Sequence, residues 1–142
     1  MQHIFVYGSL LFNTITEALC GKTIESAEAT LANYRRFAVK GADYPAIIPA
    51  EGYKVKGKVL LNLDEKANDI LNFYEGNKYE RQKVSVKTEA GPIEAEVYIW
   101  DGPLEALETC DWNENTFKKE SLQYYLDEVI PATLEEFSEM NK

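Results

Sequence analysis

Apolar positions along the chain change their period several times, and each change marks an element. Ile4-Phe5-Val6-Tyr7 is an unbroken apolar run, which predicts a strand buried on both faces. It stops on Gly8-Ser9, where a missing Cβ allows a sharp turn that exposes backbone N–H groups. Thr14 and Glu17 have capping-box spacing, so a helix is expected to start at Thr14 and to end at Gly21. Leu31, Tyr34, Phe37 and Val39 predict a long strand between Ala29 and Lys40, bent or bulged near Arg35-Arg36. Pro45 and Pro49 exclude a helix in the next stretch and place it at a sheet edge or in a functional loop. Past a turn at Gly52, Val55, Gly57, Val59 and Leu61 alternate with Lys56, Lys58 and Leu60, a strand with one polar side at its start.

The clearest helix follows. Asp64 suits the N-cap, Ala67, Ile70, Leu71 and Tyr74 make an apolar stripe, and Gly76-Asn77 end it. Val84 and Val86, a turn at Glu89-Ala90-Gly91-Pro92, and then Ile93, Ala95, Val97 and Ile99 predict a β-hairpin. Gly102-Pro103 breaks the second strand, and Asp111-Trp112-Asn113 reads as an ordered turn with a buried Trp. Leu122, Tyr125, Leu126 and Val129 then recur at helical spacing. A last helix is expected from Pro131, with Thr133 and Glu136 as its capping box and Leu134 and Phe137 docking it. Short strands with helices between and after them predict an α+β fold, a strongly curled mixed sheet or small barrel.

Composition narrows the function classes. The 142 residues suffice for one domain with a real core, and no apolar run is long enough to cross a membrane. Met1-Gln2-His3 leads straight into a strand, so no signal peptide is expected. Two cysteines, Cys20 and Cys110, make no disulfide framework and are read as small core residues, which suggests a cytoplasmic protein with reduced thiols. The net charge of −9 is uneven: residues 1–100 carry 13 acidic against 12 basic side chains, and residues 101–142 carry 11 against 3. An acidic surface argues against nucleic acid as partner, because phosphate binding needs Lys and Arg.

Among candidate chemical groups, Glu75 stands out by position. It continues the apolar stripe four residues after Leu71 and sits at a helix C-terminus, where the dipole disfavours a carboxylate. Two local rules broken at one residue point to function. Held against Leu71 and Tyr74, such a carboxylate would be desolvated and become a better proton acceptor at neutral pH. A Glu that frays outward into solvent fits the same position. Gly8-Ser9, between a strand and an early helix, offers N–H donors for an anion or oxyanion, and also fits a plain strand-to-loop turn. Ser9 lacks a base for nucleophilic catalysis, since the only histidine, His3, lies near the start of the same strand. One His and two distant Cys hold no metal. Tyr34, Tyr44, Tyr79 and Tyr98 read as half-buried packing residues whose hydroxyls can line a pocket, and Arg81 is expected to pair with a carboxylate.

Val6-Tyr7-Gly8-Ser9-Leu10, combined with Tyr74-Glu75-Gly76-x-x-Tyr79-x-Arg81, resembles the γ-glutamylcyclotransferase-like superfamily, and within it the AIG2-like (avirulence-induced-gene-like) branch. Tyr44-Pro45-Ala46, Val59 after Gly57, Val97-Tyr98-Ile99 and Asp111-Trp112 follow in the matching order, so the resemblance covers roughly residues 3–112. It implies a small mixed β-barrel flanked by helices with a cavity at the end of the first strand. Residues 1–112 would form that domain, with 113–142 as an acidic helical extension packed on it. It further implies that the backbone of Tyr7, Gly8, Ser9 and Leu10 binds a γ-glutamyl group and that Glu75 is the acid/base. Tyr44, Tyr79 and Tyr98 complete the expected substrate-binding set. The implied reaction is intramolecular aminolysis of a γ-glutamyl amine or peptide to 5-oxoproline and a free amine, without metal or organic cofactor. A non-catalytic metabolite-binding module using the same cavity is the alternative.

Overall fold

β1 (Gln2–Val6) is the expected strand, and its two faces feed two separate cores. The computed structural model describes residues 2–141; Met1, the first residue of the N-terminal expectation, and Lys142 lie outside the described residues. β1 pairs antiparallel with the far half of β3 (Pro45–Leu63) and parallel with β5 (Gly91–Trp100). β3 lies antiparallel to β2 (Ser26–Ala38), and β4 (Tyr79–Thr88) forms the predicted hairpin with β5. β2 meets β4 only through Ala29↔Thr88 and Thr30↔Lys87, which closes a barrel in the order β1-β3-β2-β4-β5. The fold is therefore α+β, a small mixed barrel flanked by helices.

Phe5, Leu31, Val55, Val59, Val86 and Val97 fill the barrel. Gly57 is required there, because a Cβ would lie 2.2 Å from the Val6 carbonyl oxygen. The other face of β1, Ile4 and Val6, joins Leu60 and Leu63 in a second core covered by helices. Those helices are α1 (Asn13–Cys20), α2 (Glu65–Glu75), α3 (Glu114–Glu120), α4 (Leu122–Tyr124) and α5 (Ile130–Met140), with a π turn (Tyr125–Val129) before α5. Ile15, Leu71, Phe117 and Ile130 are their fully buried contributions, each stabilising by about 1.5–3 kcal/mol. α2 starts as predicted, with Asp64 Oδ1 accepting from the Ala67 N–H at 2.8 Å, and ends at Gly76 with φ 79°. Trp112 is buried and its indole N–H donates to the Asp43 carbonyl at 2.7 Å.

Several local expectations give way to packing. Thr14 is not an N-cap: a 3₁₀ turn, Ser9–Leu11, brings the chain in earlier, and α1 begins after Phe12, whose ring stacks on Phe117. Glu17 accepts from the Thr23 hydroxyl instead. The β2 bulge falls at Asn33, φ 65°, not at Arg35-Arg36, and Gly52 belongs to it. The Gly52 N–H donates to Asn33 Oδ1, so Gly52 bends one long strand rather than joining two. Thr133 caps nothing; its hydroxyl donates to the Val129 carbonyl at 2.8 Å inside a continuous helical run. Pro131 has no N–H and crowds the preceding turn, and the wide π turn just before it accommodates that defect. Cys20 is half-buried against the helix core, whereas Cys110 is exposed and not a core residue.

Candidate active site

The chain turns at Gly8 because Pro45 leaves no room for anything larger: a Cβ would lie 2.8 and 2.9 Å from the proline ring. The strand end before it is held from two sides. The Tyr7 hydroxyl donates to the Tyr98 carbonyl at 2.5 Å, and Arg36 Nη1 donates to the Tyr7 carbonyl at 2.8 Å. Arg36 is itself fixed by Asp111, Nε to Oδ1 at 2.7 Å, and lies over the Trp112 ring. After Gly8, Ser9 and Leu10 open the 3₁₀ turn, so their N–H groups have no acceptor within it. Leu10 commits its side chain to the helix core, leaving its backbone to face the turn. Ser9 Oγ shares a 2.7 Å hydrogen bond with the Tyr74 hydroxyl.

Glu75 is the last residue of α2, and the stripe that buries Ala67, Ile70 and Leu71 aims it at this turn. Tyr7, Gly8, Ser9, Leu10, Tyr44, Glu75, Tyr79 and Tyr98 all line one small recess of about 30 Å³, room for little more than a water-sized group. The tertiary fold thus brings the whole predicted set together from β1, the 44–45 segment, α2, β4 and β5. Tyr34 lies elsewhere, packed against the barrel core. Ser9, Tyr44, Glu75 and Tyr79 also face a larger outer chamber of about 290 Å³, completed by Tyr74, Gly76, Asn77, Lys78, Tyr125, Val129 and Thr133. Glu75 therefore stands at the boundary between the two spaces.

Burial raises the Glu75 carboxyl to a pKa of about 7. The residue keeps some contact with solvent through the outer chamber, but its carboxyl is packed closely enough for desolvation to dominate. Five phenols feel its charge: Tyr7, Tyr74, Tyr79, Tyr98 and Tyr125. Each is pushed above the ordinary tyrosine value, first by burial, so all five remain neutral donors. Their hydroxyls are largely engaged elsewhere. Tyr79 donates to the Pro45 carbonyl at 2.8 Å, and Tyr98 to Asn72 Oδ1 at 3.2 Å. Among the described residues no donor is hydrogen-bonded to the Glu75 carboxylate, which leaves it open to a ligand's proton. Arg81 pairs with a carboxylate as expected, Nε to Glu96 Oε1 at 3.0 Å, and braces Asn68 and Gln2. No group of three or more His, Cys, Asp or Glu positioned for a metal ion occurs among the described residues.

Sequence reasoning missed the outer wall. Tyr125 and Val129 were legible only as core-facing helix positions, and Lys78 carried no signal beyond lying three residues past the end of α2. Arg36 and Asp111, 75 residues apart, had no local signature as a pair.

The structure is thus a closed mixed barrel with a desolvated carboxylate beside the turn that follows its first strand. The family model described as gamma-glutamyl cyclotransferase, AIG2-like, matches residues 4–114. This chain belongs to that family. AIG2-like protein D of Arabidopsis thaliana is 31% identical over 144 residues, covering 99% of this chain and 92% of that protein. A solution structure of an Arabidopsis thaliana protein superimposes with TM-score 0.69 at 29% identity, covering 89% of this chain and 86% of that one. A solved gamma-glutamyl cyclotransferase shares the fold, with TM-score 0.62 at 17% identity over 92% of this chain and 98% of that one.

Proposed function

We propose that this protein is a γ-glutamyl cyclotransferase that converts a γ-glutamyl amine or peptide to 5-oxoproline and a free amine, with Glu75 as general base and then general acid. The observation that carries the reading is the Glu75 carboxyl, raised to about pKa 7 and without a hydrogen-bond donor among the described residues, beside the N–H donors of Ser9 and Leu10. The substrate's α-ammonium is no nucleophile until it loses a proton. Near neutrality Glu75 is about half ionised and accepts it. The freed amine attacks the γ-carbonyl carbon, the new C–N bond closes a five-membered lactam ring, and the carbonyl oxygen becomes an oxyanion. The Ser9 and Leu10 N–H groups stabilise that charge. Glu75 then returns the proton to the departing nitrogen as the original amide bond breaks, and the second proton of the ring nitrogen passes to the released amine, which leaves as an ammonium beside the neutral lactam. Nucleophile and electrophile are tethered within one substrate, so the chamber beside Glu75, of about 290 Å³, has mainly to hold the ring-closing conformation.

The test is 5-oxoproline release from a panel of γ-glutamyl dipeptides and amines, with Glu75→Gln beside the wild type. We expect release by the wild type and a loss of about 10²–10⁴-fold in the variant. Equal release by both overturns the assigned mechanism. Binding without release by the wild type replaces the enzyme by a metabolite-binding module.

A further inference from the structure

Asp111-Trp112 reaches the turn after β1 from two directions. The Asp111 carboxylate takes one edge of the Arg36 fork, accepting from Nε at 2.7 Å and from Nη2 at 3.2 Å. That leaves Nη1 to donate to the Tyr7 carbonyl at 2.8 Å. The Trp112 ring lies against the same guanidinium, its centre 5.3 Å from the central carbon, and the indole N–H holds the Asp43 carbonyl. From Asp43 the chain runs through Tyr44 to Pro45, whose ring stands against Gly8. Asp111 is held in place by the backbone before it: the Ala38 N–H donates to the Cys110 carbonyl at 3.0 Å, and the Glu108 N–H to the Ala38 carbonyl at 2.8 Å. Arg36 is 17% exposed and Asp111 60%. A pair so exposed at one end adds little to stability. A planar fork held at two nitrogens nevertheless fixes the direction of its remaining donor, which an ammonium on a flexible stem does not.

The consequence falls on one peptide plane. The Tyr7–Gly8 bond is trans, so its carbonyl and its N–H point in opposite directions. The guanidinium that holds the Tyr7 carbonyl therefore fixes the Gly8 N–H on the other side of the chain. Gly8 lines the recess together with Glu75, and its N–H has no acceptor among the described residues. We propose that Arg36, clamped by Asp111, is a positioning residue: it aims the Gly8 N–H into the recess and keeps the Ser9 and Leu10 donors in line behind it. The inference rests on the cyclotransferase reading, in which the group received there is the γ-carbonyl oxygen as it becomes an oxyanion. The recess has room for a group of that size. Arg36 itself lines neither the recess nor the outer chamber, and burial rather than its charge sets the Glu75 carboxyl. It acts through the backbone alone.

Arg36→Met, Arg36→Lys and Asp111→Ala are compared with the wild type well below their melting temperatures. Asp111→Ala, at a largely exposed carboxylate, keeps the test decisive if Arg36→Met does not fold. We expect the ¹H–¹⁵N NMR signals of the Gly8, Ser9 and Leu10 amides to move in all three variants. In 5-oxoproline release, kcat should fall about 10–100-fold for Arg36→Met and about 3–10-fold for Asp111→Ala. KM should stay within about twofold, because the oxyanion exists only in the transition state. Arg36→Lys, which keeps the charge without the fork, should lose nearly as much as Arg36→Met. The acid limb near pH 7 should stay where Glu75 places it in every variant. Unmoved amide signals, an unchanged kcat, a loss confined to KM or to the melting temperature, full activity in Arg36→Lys, or a displaced acid limb overturns the inference. Wild-type release with unmoved amides in the variants sinks this inference alone. Moved amides with no release by the wild type sink the cyclotransferase reading alone, and leave Arg36 as the residue that sets the turn.

Discussion

Glu75 couples the activity proposed for this protein to its pH behaviour in two opposite directions. Catalysis needs its ionised form, so kcat/KM should rise with pH below about 7 and level off above it, an acid limb that Glu75→Gln removes. Stability runs the other way. The folded pKa of about 7 exceeds the ordinary 4.5, so between those values the folded state binds more protons than the unfolded one and loses stability as pH rises. Glu75→Gln should therefore leave thermal stability unchanged near pH 4 and raise it at pH 8. The ceiling is about 3 kcal/mol, reduced because the outer chamber admits water. Melting curves of both proteins at the two pH values check the sign. Gly8→Ala probes the turn: with the new methyl inside contact distance of Pro45, we expect a loss of about 1–3 kcal/mol and a raised KM for the γ-glutamyl substrate. Of these residues Glu75 was legible early, because a carboxylate on an apolar stripe at a helix C-terminus breaks two rules at once.

At the scale of elements, α2 and the hairpin β4–β5 followed their local signals, since cap, stripe and turn chemistry all agree there. α1 did not begin at its Thr14–Glu17 pair, and α5, which carries Pro131 in its first turn as expected, is not capped by Thr133. Phe12, Trp112 and Tyr125 all pack on Phe117, with ring centroids at 5.4, 5.7 and 4.9 Å, and this aromatic cluster sets how those helices enter. A capping box contributes about 1 kcal/mol, less than one such buried ring. Phe117→Ala should accordingly cost about 3–5 kcal/mol in urea unfolding. It should also disturb the outer chamber, because Phe117 contacts Tyr125 edge-on.

For the whole molecule, the helices after residue 112 share one core with β1 and α2: Phe117, Tyr125 and Ile130 belong to the same buried cluster as Ile4, Val6 and Leu71. We expect barrel and tail to unfold together. Far-UV circular dichroism and tryptophan fluorescence should give coincident denaturation curves, and an early fluorescence change would show the tail detaching first. The same shared core lets residues more than 100 positions apart, such as Ser9 and Thr133, face one chamber.

The α+β character, the doubly buried first strand, α2 and the hairpin are consequences of local periodicity and turn chemistry, which act over a few residues and are written directly in the chain. The gathering of Tyr7, Gly8, Ser9, Leu10, Tyr44, Glu75, Tyr79 and Tyr98 into one recess was legible through motifs and their order, not through any local force. Barrel closure by the parallel β1–β5 pair, the Arg36–Asp111 brace, the π turn and the outer wall belong to the tertiary structure alone. They depend on contacts between residues distant in sequence, where the geometry of packing decides among local conformations of nearly equal energy.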